Sequence, residues 1–130
     1  MSSNNETDVD VIKAEDINHF DDTLERHPGI QYKELIGPES EIPSIGSVIG
    51  IYDATVHSGK SYWPRANEQN VDRIVYVEKG QGRLSIGDDK YTIRSGDLAR
   101  IHQGREKEAE VNNTGESPLK LLVIILEVSS

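Results

Sequence analysis

Apolar and polar residues alternate along most of this chain, most regularly from Gly82 to Arg94. There Leu84, Ile86, Tyr91 and Ile93 are interleaved with polar residues around Gly87-Asp88-Asp89, which predicts a β-hairpin. Residues 30–36 and 47–56 carry the β-branched enrichment of strands, with a Gly- and Pro-containing loop over 37–44 between them. Val9 to Lys13 is a shorter strand candidate. Ile17, Phe20 and Leu24 fall at three- and four-residue spacing. Asp16 as cap and His27-Pro28-Gly29 as stop then predict a short helical segment over 17–26. Residues 1–8 are polar, have no apolar anchor and are expected to be poorly ordered.

The last strand, 119–128, breaks the alternation. Leu121 to Leu126 is an unbroken apolar run, the pattern of a strand covered on both faces. A lone small barrel would leave one face of it in water, where an apolar surface invites association. A homodimer that covers the outer face is therefore expected.

Two glycine-framed blocks flank the hairpin. The first runs from Gly59 through Tyr62-Trp63-Pro64-Arg65-Ala66-Asn67 to Gly80; the second runs from Gly96 through Ile101-His102-Gln103-Gly104 to Asn113. Their spacing resembles the two motifs of the cupin family from about Ser47 onward. The first motif is a glycine, five residues, His-x-His, three or four residues, a glutamate, six residues and a glycine. Here its histidine positions read Arg65 and Asn67. The glutamate position reads Arg73 when counted back from Gly80, whereas Asp72 keeps the forward spacing. The second motif places His102 on the family's proline, Gly104 on its glycine and Lys107 on its histidine, with Asn112 one residue late for its asparagine.

The resemblance implies an all-β fold, a cupin-type double-stranded β-helix or jelly-roll barrel, with the short helical segment before it. Residues 9–46 would pack on a barrel formed by 47–130. In cupins three histidines and a glutamate hold a divalent cation inside the barrel. Arg65, Asn67, Arg73 and Lys107 in their place offer three cations and one amide, and guanidinium and ammonium groups have no lone pair for a metal. His19, His27, His57 and His102 match no standard metal-ligand spacing. A protein without metal or other cofactor is expected.

Composition adds bounds. The 130 residues suffice for one domain, and the absence of cysteine removes disulfide and thiol chemistry. No leader-like segment or bilayer-length apolar run is visible, so a cytoplasmic protein without a membrane partner is expected. Net charge is −9. Residues 1–42 hold eleven acidic side chains against three basic, net −8, and the other 88 residues are −1. That balance argues against nucleic acid, whose binding rests on phosphate neutralisation. The acidic segment reads as a solvated face.

Strand alternation gives Trp63, Arg65 and Asn67 one direction, shared by Arg73, Val75 and Val77; by the resemblance that direction is the barrel interior. Buried cations need a counter-charge. One reading is a small anionic ligand, a carboxylate, phosphate or sulfate, held by Arg65, Arg73 and Lys107 with Asn67 beside them. The other is internal salt bridges to Glu68, Asp72, Glu106, Glu108 or Glu110. Trp63 is either a pocket wall or core packing. Tyr62 and Tyr76, of opposite parity, are expected at the sheet–sheet or dimer contact, and Tyr32, Tyr52 and Tyr91 as structural residues. His102, partnered with Glu108 or a tyrosine, is the candidate acid or base for proton transfer.

Two function classes follow. One is a metal-independent isomerase, epimerase, cyclase or lyase acting on a small anionic substrate. The other is a non-catalytic cupin that binds a small acid or serves as a dimeric accessory or regulatory module.

Overall fold

The computed structural model describes residues 9–17, 20–21, 30–64, 70–102 and 108–128. Its strands are β1 (Phe20–Asp21), β2 (Ile30–Ile36), β3 (Val48–Val56), β4 (Ser61–Tyr62) and β5 (Val71–Lys79). They continue with β6 (Gln81–Ile86), β7 (Asp89–Arg94), β8 (Leu98–Ile101), β9 (Ala109–Asn113) and β10 (Leu119–Glu127). They form a six-stranded sheet, β1-β2-β3-β10-β5-β8, and a four-stranded sheet, β4-β9-β6-β7. The strand pairs are antiparallel, the arrangement expected of a jelly roll.

Alternation decides what lies between the sheets. Val56, Val75, Val77, Leu84, Ile101, Val111, Leu121 and Val123 are buried there, drawn from six strands of both sheets. The hairpin read from sequence is present as β6–β7. Ile86 pairs with Asp89 across Gly87-Asp88, and Gly87 takes φ 59°, which suits glycine. On the β9–β10 connection, Asn113 is 2% exposed yet fully bonded. Its Nδ2 donates to the carbonyls of Val56 and Ser117, and its Oδ1 accepts from the Gly115 amide.

Two local expectations change. The only helical turn among the described residues is a three-residue 3₁₀ turn, Ala14–Asp16. Of the segment expected to be helical, Phe20 and Asp21 are extended and pair with Tyr32 and Gln31, so their backbone is recruited to a sheet edge. Residues 18–19 and 22–29, with the rest of that expectation, lie outside the described residues, as does the 1–8 tail. Residues 9–13 form no strand. Val9 and Val11 are 65% and 67% exposed there, with no partner strand beside them. Strand β2 is a member of the six-stranded sheet, paired along its length with β3.

Strand β10 sits between β3 and β5. Leu119, Leu121 and Val123 point inward and are buried, while Lys120, Leu122 and Ile124 point outward and are half-exposed in the single chain. The unbroken apolar run thus serves two faces. No helix among the described residues is long and apolar enough to cross a membrane.

Candidate functional site in the barrel interior

The inner face of the larger sheet carries an unexpected polar group. On β2, Ile30, Tyr32 and Glu34 share the inward direction, and Glu34 pairs in register with Tyr52 of β3. The Tyr52 hydroxyl donates to Glu34 Oε1 at 3.2 Å, and the Glu39 amide donates to Glu34 Oε2 at 2.7 Å. Two glycines make room for this pair. A Cβ on Gly50 would lie 2.9 Å from Tyr52 Cε2 and 3.3 Å from Ile125 Cδ1, so the ring leans back over Gly50. A Cβ on Gly37 would lie 2.7 Å from Glu34 Cδ.

Gly50 stands opposite Ile125, and Ile125 stands opposite Arg73 of β5. The tyrosine ring therefore leans toward the row that contains Arg73. Arg73 is 7% exposed and shares the inward direction of Val75 and Val77. Tyr32 joins the group through edge-to-face contacts, at 6.5 Å to Tyr52 and 6.4 Å to Tyr62. Burial, and then the Glu34 charge, push the Tyr52 phenol up to about 12, against a smaller opposing effect of Arg73. Tyr52 is thus a neutral donor to Glu34 at neutral pH.

A cleft of about 560 Å³ adjoins the pair. Its walls include Val11 and Asp16 of the amino-terminal segment, Glu34, and Glu39 and Glu41 of the following loop. Lys33 Nζ holds that segment by donating to the Ala14 carbonyl at 3.0 Å. Glu34 belongs both to the cleft wall and to the tyrosine group.

The residues singled out from sequence separate into three sets. Arg65, Asn67 and Lys107 lie outside the described residues, as do Glu68 and Glu106. Asp72 has the opposite parity, and Arg73, with the parity of Val75 and Val77, is on the inner face. His102 and Glu108 are not brought to it. Ile101 takes the inward place at the end of β8, so alternation turns His102 outward, with its side chain 69% exposed. Glu108 precedes the buried Ala109 on the other sheet and is exposed. His102 follows β8 and Glu108 precedes β9, strands of different sheets, and both side chains are exposed.

At β4 the expected parity also changes. Tyr62 is 7% exposed and part of the core, fitting the sheet–sheet position foreseen for it, whereas Trp63 is half-buried and not among the described core residues. The interior ring at this strand is a tyrosine, and Trp63 is not placed as its wall. Tyr52, expected to be structural, is the centre of the polar group. The signal available for it was weak, a Gly-x-Tyr step in one strand and a glutamate in the preceding one.

The outer face holds a second cluster. Asp72 is 1% exposed; Arg100 Nε and Nη2 donate to its Oδ2 at 2.8 and 2.6 Å, and His102 Nδ1 lies 3.8 Å from the same oxygen. Asp72 thus faces away from the side that Arg73 faces. Glu110 accepts from the Ser61 hydroxyl.

The sequence profile of the cupin domain matches residues 53–125, more than half of the chain. The chain belongs to the cupin family. No curated protein matches it. Among solved structures, it is similar to a predicted oxalate decarboxylase from Thermotoga maritima, at 17% identity and TM-score 0.71 over 91% of this chain and 99% of that one. It is similar to a cupin-superfamily sugar phosphate isomerase from Silicibacter pomeroyi, at 16% identity and TM-score 0.74 over 92% and 76%. It also resembles the cupin domain of an XRE-family transcriptional regulator from Enterobacter cloacae, at 16% identity and TM-score 0.63 over 78% and 99%. At these identities the likeness shows the shared fold.

The divalent cation common in this family does not fit the described donors. Arg73 brings a guanidinium to the inner-face glutamate position, and a guanidinium repels a cation and has no lone pair for it. Among the described residues, no three His, Asp or Glu side chains converge as a ligand set.

Proposed function

We propose that this cupin binds a small organic anion in its barrel without a metal, and that it acts on that molecule by proton transfer, as an isomerase, epimerase, cyclase or lyase. The observation that carries the reading is Arg73, a buried guanidinium directed inward at the position of a metal-ligating carboxylate. Guanidinium groups bind carboxylates and phosphates through paired hydrogen bonds. Arg65 and Lys107 are assigned to the same anion by the motif spacing. A sugar phosphate, named for the Silicibacter pomeroyi neighbour, is an anion of this kind. Tyr52, a neutral donor whose ring leans toward Arg73's row, takes the proton-transfer part first assigned to His102.

The alternative is a non-catalytic small-acid-binding or regulatory module, the setting of the Enterobacter cloacae domain. Turnover of a bound acid separates the two.

Arg73→Met tests the ligand site. If Arg73 serves an anion site, the variant loses the rise in melting temperature that phosphate and dicarboxylates give the parent. If Arg73 serves only internal salt bridges, the melting temperature falls and the anion response stays equal to the parent's, which ends the proposal. Arg83→Met, at an exposed β6 position, controls for general salt effects.

The same reading includes a homodimer through the outer face of the larger sheet. Leu122 pairs in register with Tyr76, Tyr76 with Leu98, and Ile124 with Ile74. Tyr76 and Leu98 are 37% and 61% exposed, so these side chains form a continuous apolar surface in the single chain.

A further inference from the structure

The outer face of the larger sheet carries a polar group whose partner is a second copy of the chain, on the reading that two copies meet there. Leu122 of β10 pairs with Asp53 of β3 on one side and with Tyr76 of β5 on the other. Ile124 pairs with Ile51 and Ile74 in the same way. Asp53 precedes the buried Ala54, so alternation sets it on the outer face. Its side chain is 26% exposed, and its buried Oδ1 receives no hydrogen bond. Lys120 Nζ stands 3.6 Å from that oxygen and donates to Thr55 Oγ1 instead. A carboxylate this far from water is costly without a donor. Beside it opens a hollow of about 170 Å³, lined in part by Gln31, Lys33, Asp53, Thr55 and Lys120.

Sheets packed face to face keep their strands within about 30° of one another. The two-fold axis of a symmetric pair therefore runs nearly along the strands or nearly across them. An axis across them, between the rows of Leu122 and Ile124, would set Asp53 on the partner's Ile51. An axis along β10 sets Ile51 on the partner's Ile74 and Asp53 on the partner's Tyr76, because each pair flanks β10 symmetrically. We infer that the dimer axis runs along β10 and that each Tyr76 enters the hollow of its partner, donating its hydroxyl to the partner's Asp53. Tyr76 is 37% exposed, so its ring is available to a second copy. The lysine stems that line the hollow suit that ring, and its hydroxyl supplies the donor that Asp53 lacks. The contact occurs twice, as an isologous interface requires.

The test is the dimer dissociation constant of the full chain, measured by sedimentation equilibrium. Tyr76→Phe should raise it about tenfold or more, since symmetry doubles the lost hydrogen bond. That loss should vanish when Tyr76→Phe is made in an Asp53→Ala background. No loss in the parent, or a loss that persists without Asp53, overturns the axis and leaves the dimer standing. A monomeric parent overturns both. For a dimer too tight to dissociate, Ile51→Cys and Ile74→Cys decide, because the chain has no other cysteine. After the two variants are refolded together, a short thiol-bridging reagent should join one to the other and neither to itself. Self-joining of either variant, or no joining at all, overturns the axis.

Discussion

Arg100 sets both Nε and Nη2 on a single oxygen of Asp72, at 2.8 and 2.6 Å, across the β5–β8 pair. The arginine side chain is 56% exposed and the aspartate side chain 2%, so the pair has a wet end and a dry end. The dry end decides the energetics. A buried carboxylate that loses its partner keeps its desolvation cost without the compensating hydrogen bonds.

Arg100→Met is accordingly expected to destabilise the chain by about 3 kcal/mol, measured by denaturant unfolding. Asp72→Asn combined with Arg100→Met should recover part of that loss, because the buried charge that Arg100 offset is gone. Equal destabilisation in the single and double variants would mean that the pair contributes through packing rather than charge.

Tyr52 predicts an alkaline signature. Its folded value is raised from 10.0 to about 12, so folding favours the protonated phenol. The sign follows: this contribution is intact below pH 10 and is lost as the pH rises through about 12. Stability followed against pH should fall over that window, and Tyr52→Phe should flatten the fall. Tyr91→Phe, at a residue 54% exposed, controls for loss of a phenol. An unchanged slope in Tyr52→Phe would place the effect elsewhere.

The two faces of β10 give the dimer test a direction. Size exclusion with light scattering should report twice the 14.5 kDa chain mass. Ile124 points outward and Ile125 packs against the core, so the same substitution at neighbouring positions should act differently. Ile124→Lys should give a folded monomer, whereas Ile125→Lys should unfold the chain, since it buries an unpaired ammonium. A parent that is monomeric at micromolar concentration would end the dimer proposal.

The barrel was legible in the sequence because strand alternation and turn chemistry are local signals. Gly87-Asp88 named its own hairpin, and Gly80 counted back to Arg73. Parity also placed Val75 and Val77 with Arg73. The same rule would have turned His102 outward once Ile101 was taken as core, but a motif position drew it inward instead. Trp63 was not placed by local reading because β4 is two residues long, too short for alternation to establish a phase. Tyr52 and Glu34 were beyond local reading. They lie 18 residues apart, and only the β2–β3 register brings them together.

The position of β10 at the centre of the larger sheet has a consequence for synthesis on the ribosome. Strands β3 and β5 appear early, yet the strand that joins them is the last of the ten to emerge. Until it does, each nascent strand shows the ribosome's surroundings an unpaired edge where β10 will sit. Pairings this far apart in sequence form slowly, and open edges are sites of misassociation. Aggregation during expression should therefore depend on how fast the segment from Gly80 to Leu119 is translated, and slow codons there lengthen the exposure.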